Sequence, residues 1–240
     1  MAIDPELRRK LQIVLAVAIV IVGARTAYIV YERHQLRVEG EKPKPETALS
    51  ADAYVSPHKL HSYDLQSARD LTKQPVWVRV GYSLTYYPYD PKRRKADFAH
   101  EAGTLPPLQK LQSEDVFTGV APQAAGTRQV LARFELNGKP YAVPIGAEKD
   151  GDYKIYSDEM FFIQDPHELY KHWPADVWKA IDDHHVLPGM SELQVGFAIG
   201  VGVQDGGGDY GSRTLKYPNG GKPLVITFRG NKATEIGPGF

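Results

Sequence analysis

The stretch LPGMSELQVGFAIG, residues 187–200, contains the most specific structural pattern of the chain. Ser191 stands where a helix N-cap is expected, and Gln194 follows at the spacing of a capping box. Met190 and Val195 occupy the two positions of a hydrophobic staple, one before the cap and one inside the helix. The pattern therefore predicts a short helix. A helix of this length is unstable alone, so it needs a packing partner elsewhere in the fold.

A sheet is the partner that the following sequence predicts. Gly200 ends the helix, and strand signals then occur at residues 215–217, 223–228 and 233–236, with turns rich in Gly and Asn between them. The preceding DGGGDYG, residues 205–211, lacks the Lys and Ser/Thr of a phosphate-binding loop, and we interpret it as a flexible connection into the sheet. The prediction is a meander of three antiparallel strands.

Helical signals also precede the stretch. Asp165, Pro166 and Glu168 provide an N-cap, a proline at the first helical position and an acid in the first turn. A second helix start follows at Pro174. The apolar residues that recur there at helical spacing, and are expected in a core, are Trp173, Val177, Trp178 and Ile181. Residues 165–240 are therefore predicted to form a two-helix plus three-strand α+β domain.

Strand patterns dominate the middle of the chain. Within residues 76–87, the valines at 76, 78 and 80 alternate with Trp77 and Arg79, which is the period of a half-buried strand. A second alternating run turns at Asn137-Gly138, which favours a type I′ hairpin, and Pro140 and Pro144 mark the returning strand as an edge or as the end of one. Residues 74–164 are therefore predicted to form a small antiparallel β-barrel-like domain, which resembles the Src-homology-3-like barrel in architecture.

The charges of the chain are balanced, with 29 Lys and Arg against 29 Asp and Glu, so no overall positive field attracts nucleic acid. One run of four basic residues, 92–95, is interpreted as a solvated loop tip, with contact to anionic headgroups or to an acidic partner as the alternative. Cysteine is absent, which excludes thiol nucleophiles, disulfides and lipids linked to cysteine.

The N-terminal part predicts a membrane segment. Residues 11–31 form a mostly apolar stretch of the length that a spanning helix needs, about 20 residues. We interpret it as an uncleaved signal anchor that follows a tail at residues 1–10 and precedes a linker with a short helix at residues 32–73. The alternative is a signal peptide that is cleaved after residues 22–24. Both interpretations place the remainder of the chain outside the cytoplasm.

Six residues of the opening stretch form a unit with the strands that follow: Gly189, Met190, Ser191, Gln194, Val195 and Gly200. Together with LKYPNGGKPLVITFRGNKATEI, residues 215–236, they resemble the SmpA/OmlA (BamE-like) envelope domain. The resemblance implies a non-enzymatic scaffold that binds envelope proteins or lipid surfaces, and the related fold also occurs in proteins that inhibit β-lactamases. The chain departs from outer-membrane assembly members in lacking their lipidated cysteine and in carrying an additional barrel-like region.

These features predict a non-catalytic interaction module of the cell envelope. It is expected to be a single-pass protein of the inner membrane, with its domains outside the cytoplasm, and to bind an envelope protein without cofactor or metal. A secreted binding or inhibitor protein, formed by signal cleavage, is one alternative. The candidate binding residues, chosen because large amphipathic side chains and arginine anchor interfaces, are Tyr82, Tyr86 and Tyr87 on the barrel and Phe197, Tyr210 and Arg213 at the edges of the C-terminal unit.

A metal-dependent hydrolase is the second alternative. The histidines that lie close in sequence to Asp182 and Asp183 are His167, His172, His184 and His185. No pair of them has the helical spacing and the intervening glutamate of a zincin motif. Solvated histidines near helix ends, where the helix dipole favours their charge, are the simpler account. The sequence therefore predicts no catalytic residue.

Overall fold

The structure, a computed structural model, describes residues 20–34, 50–81, 84–120 and 126–239. The chain divides into two compact units, residues 1–50 and residues 51–240. In the first unit, residues 20–34 form a helix, α1, with exposed side chains. Over the described ranges, no helix combines the length and the apolar character that a membrane crossing requires. The predicted tail, residues 11–19 of the predicted span and residues 35–49 of the predicted linker lie outside the described residues.

The second unit is mixed α+β, with antiparallel sheets of which the largest forms a half-barrel. Its helices are α2 (Leu65–Ala68), α3 (Ser157–Met160), α4 (Pro166–Leu169), α5 (Ala175–Asp182) and α6 (Glu192–Ile199). Its strands are β1 (Val76–Val78), β2 (Leu84–Asp90), β3 (Lys95–Ala96), β4 (Gly103–Leu105), β5 (Lys110–Leu111), β6 (Ser113–Val120), β7 (Thr127–Leu136), β8 (Lys139–Lys149), β9 (Asp152–Ile155), β10 (Phe161–Phe162), β11 (Val203–Asp209), β12 (Ser212–Tyr217), β13 (Leu224–Arg229) and β14 (Lys232–Pro238). The helices α4, α5 and α6 begin directly after Asp165, Pro174 and Ser191, as predicted.

The half-barrel sheet has the strand order β3-β2-β8-β7-β6, with β4 paired to β2 and β9 paired to β8. Its longest ladder, between β7 and β8, is the hairpin that the sequence predicts. Asn137 and Gly138 have φ angles of 54° and 72°, the positive values that a type I′ turn requires. Side chains from both strands, among them Val130, Phe134 and Ile145, fill one core on the inner face of the sheet.

Two expectations about these strands are wrong. Residues 76–87 are not one strand, because β1 ends at Val78, the chain turns at Gly81 with φ of 107°, and β2 begins only at Leu84. Moreover, β8 is not an edge, since it pairs with β7 on one side and with β2 and β9 on the other. The alternative that a proline marks the end of the strand holds for Pro140, the second residue of β8. Pro144 is tolerated because it lies between the residues that pair with β2 and those that pair with β9, where the ladder to β7 also shifts register.

The C-terminal sheet has four strands in the order β11-β12-β13-β14, one more than predicted. The additional strand, β11, contains residues 205–209 of the glycine-rich run, and Tyr210 and Gly211 form the turn to β12, so the expectation of a flexible connection there is wrong. It pairs with β12 at Val203 and Gln204 and again at Gly208 and Asp209, with a shift of register between them. Gly206 and Gly208 have φ angles of 92° and 122°, so the glycines accommodate this irregularity in a paired strand.

One core joins the helices to the C-terminal sheet. Its buried members include the two tryptophans that the helical spacing predicts, Trp173 and Trp178, together with sheet residues such as Ile226. Trp77 of β1 and Phe162 of β10 belong to the same core, and β1 pairs with β10. The packing is therefore continuous through the second unit, and the domain boundary predicted after residue 164 stays a prediction.

Candidate functional site

The opening stretch of the sequence is a structural element. The Ser191 hydroxyl accepts a hydrogen bond from the Gln194 N–H at 3.2 Å, and the Gln194 side chain accepts one from the Ser191 N–H at 2.8 Å. The predicted capping box is thus confirmed. Met190 and Val195 are both buried in the core under the sheet, as a staple requires, while their direct contact stays a prediction. Gly200 ends the helix with φ of 89°.

Glu192, in the first turn of α6, is a buried carboxylate. Its oxygens accept hydrogen bonds from the Gly211 N–H at 3.0 Å and from the Arg213 guanidinium at 2.5 and 3.3 Å. Its own N–H donates to the Asn231 side chain at 3.2 Å. Burial and the nearby charge of Glu192 raise the pKa of the Tyr217 hydroxyl above its ordinary value. The network therefore fastens α6 to β12 and to the turn after β13, with its negative charge compensated.

A groove opens beside the C-terminal end of α6, with a volume of about 560 Å³. We call it the proline groove, and its apolar wall includes Leu105, Pro106, Pro107, Ile199, Val201 and Pro218. His184 is a polar group of the wall, and its Nδ1 lies 2.9 Å from the carbonyl oxygen of Ala198. Concave, mainly apolar sites of this size with few polar groups are typical binding sites for small molecules or for side chains of a partner.

The edge strand β11 begins two residues after the groove. All seven of its residues are exposed, and it is the outer strand of the C-terminal sheet. Val201, in the wall of the groove, and Val203, the first residue of β11, are 57% and 69% exposed, so two apolar side chains mark the junction of groove and strand. The outer side of such a strand presents backbone donors and acceptors to any approaching chain.

The candidate tyrosines of the middle region belong to packed clusters. Tyr82 lies outside the described residues. Tyr86 is half-buried, with its ring 4.9 Å from that of Tyr141, and Tyr87 is half-buried, with its ring 5.1 Å from that of Phe98. The two neighbours point to opposite faces of β2 and into different clusters. They do not form one joint surface.

The C-terminal candidates separate into one core residue, one exposed tyrosine and one half-buried arginine. Phe197 is only 1% exposed, which corrects its expected position at an edge of the unit: α6 turns this side chain into the aromatic core. Tyr210 is 60% exposed and lies at the turn between β11 and β12. The Arg213 guanidinium lies 5.7 Å from the centre of the Tyr210 ring, so these two candidates are together.

The four histidines considered for a metal site contact different partners. The ring nitrogens of His167 lie 3.1 Å from Asp165 and 3.2 Å from Asp182, whereas His172 lies 2.7 Å from Asp52. The other two approach backbone carbonyl groups. In the part of the chain that the structure describes, no three His, Asp or Glu side chains come together as a set of metal ligands.

The fold and its surface define an α+β protein with an exposed edge strand beside an apolar groove. Comparison with models of protein families, with characterised proteins and with solved structures finds no match. Sequence reasoning missed both features of this candidate site. The prolines and glycines that line the groove were visible only as turn signals, because their convergence depends on how α6, β4 and the turn after β12 pack together.

Proposed function

We propose that this protein is a non-catalytic interaction module of the cell envelope. Residues 11–31 anchor it in the inner membrane, and residues 51–240 stand outside the cytoplasm. The module binds an extended segment of an envelope protein along β11, with an apolar side chain of that segment in the proline groove. The observation that carries this proposal is the fully exposed edge strand that begins directly beside the groove.

Edge strands pair readily with other chains, and natural proteins usually protect them. Within β11 the protection is partial: the register shift interrupts the strand between Gln204 and Gly208, but Val203 and Gln204 keep regular pairing with β12. No proline interrupts β11. The regular part therefore lies next to the groove, where an added strand would gain backbone hydrogen bonds and a side-chain pocket together.

The strand carries negative charge, which limits the partner. Asp205 and Asp209 are both exposed, and of these Asp205 pairs with Lys216 at 3.1 Å. An acidic segment would meet like charges along β11, so the partner segment is expected to be neutral or basic as well as extended.

We also propose that the C-terminal part is a SmpA/OmlA (BamE-like) domain and that residues 74–164 resemble the Src-homology-3-like barrel in architecture. The capping box at Ser191, the closing Gly200 and the strands β12 to β14 occur in the order of the family pattern, which supports the first assignment. The extra strand β11 departs from that pattern, and it is the strand that we propose for partner binding.

Photocrosslinking in intact cells tests the binding surface. A photoreactive residue at Val203 is expected to capture one envelope protein reproducibly, whereas the same residue at Tyr63, which is 75% exposed and remote from β11 in the chain, captures none. Val203→Lys, a charge of the kind that protects natural edges, is expected to abolish complex formation, and Tyr63→Lys to preserve it. Equal capture at both positions, or a complex that survives Val203→Lys, contradicts the proposal.

A further inference from the structure

The hairpin between β2 and β3 ends in four consecutive basic residues, Lys92, Arg93, Arg94 and Lys95, which we call the basic tip. All four are exposed. The Asp90 carboxylate shapes the turn by accepting hydrogen bonds from the N–H groups of Lys92 and Arg93, at 2.8 and 3.1 Å. The backbone therefore holds four cationic side chains at the end of one hairpin.

Neighbouring carboxylates compensate the two arginines only weakly. Arg93 Nε lies 3.7 Å from Asp90, and Arg94 Nη2 lies 3.8 Å from Asp115. The arginine side chains are 83% and 76% exposed, and exposed pairs of this length contribute little. Both guanidinium groups can therefore exchange these partners for another anion at little cost.

The two lysines of the tip have even fewer contacts with carboxylates than the two arginines. Among the described residues, Lys92 and Lys95 take part in no ion pair with a carboxylate within 4.0 Å. Asp97, directly after β3, lies 2.9 Å from the His100 ring nitrogen, and this hydrogen bond is the main cause that lowers the pKa of Asp97. Within the described part of the chain, Asp90 lies opposite Lys95 in the ladder between β2 and β3 but forms an ion pair with Arg93 only, so the ammonium groups of both lysines stay available to another anion.

An apolar side chain lies beside the tip. Val120, the last residue of β6, is 64% exposed. It lines one shallow depression together with Arg93, Lys95 and the half-buried Phe98, and Asp90 and Asp97 also contribute to its wall. Cationic groups around exposed apolar surface are the combination that binds the interface of an anionic bilayer, where charge attracts the protein and apolar atoms enter the headgroup region.

We propose that the basic tip and Val120 bind the surface of an anionic bilayer. Nucleic acid fits the site less well, because the chain has no net charge and the depression offers one half-buried aromatic ring and no row of stacking platforms. An acidic protein surface would pair with the cations but would not explain why the apolar side chain of Val120 is exposed beside them. The inference goes beyond the proposed function, because it adds a second membrane contact that is independent of β11 and the proline groove.

The magnitude follows from the charges. Each basic residue near an anionic surface contributes about fivefold to partitioning. Removal of two lysine charges by Lys92→Gln and Lys95→Gln together is therefore expected to weaken the contact about 25-fold. The contact should also weaken as ionic strength rises, because the Debye length falls from about 30 Å at 0.01 M to about 3 Å at 1 M salt.

The absence of cysteine makes a site-specific test direct, since Val120→Cys introduces a single thiol into the full chain. A fluorophore on that thiol is measured in nanodiscs of phosphatidylcholine alone or mixed with phosphatidylglycerol, with a nitroxide quencher on the lipid headgroups. We expect quenching in the anionic discs that salt reverses. The double lysine variant is expected to lose it, whereas a matched control, Lys171→Gln with Lys232→Gln, removes two exposed lysines elsewhere and keeps it.

The outcomes separate this proposal from the proposed function. Equal quenching in the two kinds of disc, or equal loss in the two lysine pairs, overturns the contact with anionic lipid and leaves an acidic protein as the alternative partner. Failure of the chain to remain in discs refutes only the anchor. In that case the contact is tested by flotation of the labelled chain with anionic and with zwitterionic vesicles. If the chain floats with neither kind of vesicle, the proposed contact with anionic lipid is overturned.

Discussion

Replacement of Phe197 by alanine should reveal that this side chain belongs to the core and not to a binding surface. Its ring contacts four other aromatic side chains at centroid distances of 5.0 to 6.4 Å, and these are Phe162, Tyr170, Trp173 and Trp178. Deletion of a buried phenylalanine costs about 3–5 kcal/mol, because the neighbours relax only partly into the cavity. The loss of contacts to four rings, three of them edge contacts, places Phe197→Ala in the upper half of that range, at about 4–5 kcal/mol.

Tryptophan fluorescence during urea and thermal unfolding of the full chain in detergent measures this effect. The three tryptophans of the chain, Trp77, Trp173 and Trp178, all lie in the core that contains Phe197. For a unit of this size, each 1 kcal/mol lowers the melting temperature by about 2–4 °C, so a fall of about 8–20 °C is expected. Tyr210→Ala, at an exposed aromatic residue, provides the control and should change stability by no more than about 0.5 kcal/mol. Equally small effects of the two variants would refute the argument.

Three further predictions concern single contacts. Ser191→Ala removes the cap of α6 and should cost about 1 kcal/mol in urea unfolding, whereas Ser191→Asp should retain most of it. Gly146→Ala would place a Cβ 2.2 Å from the Lys154 carbonyl oxygen and should destabilise the chain by about 1–3 kcal/mol, whereas Gly207→Ala, with no atom within 4 Å, should not. The raised pKa of Tyr217 means that the unfolded chain loses its proton first, so stability should fall as pH rises above about 10, and Tyr217→Phe should reduce that fall in unfolding measured at increasing pH.

Local physics explains what the sequence could predict. The capping box needs only Ser191, Gln194 and the backbone between them, and the turn at Asn137-Gly138 needs only two residues that tolerate positive φ. Such devices are complete within a few residues, so the chain specifies them wherever it packs. The interior position of β8, by contrast, depends on where β2 and β9 pair, and Pro140 and Pro144 alone suggest an edge.

Surface position was the least predictable property, because it is fixed by packing and not by residue type. Tyr210 and Phe197 both suit an interface by chemistry, yet the first is at a turn and the second faces the centre of the core. Helical spacing alone did not predict which way the Phe197 side chain faces, because α6 contains only two polar residues, both in its first turn.

The strand that we propose for partner binding was missed for a related reason. Alternation of apolar and polar residues reports a strand only when one face is buried, and β11 buries none of its seven residues. Its glycines, which lower strand propensity, reinforce the interpretation as a loop. Because β11 has no buried face, its backbone hydrogen bonds to β12 hold it in place on one side. On its other side, backbone N–H and carbonyl groups face solvent. The property that hides β11 from sequence patterns is therefore the one that makes it suitable for receiving another strand.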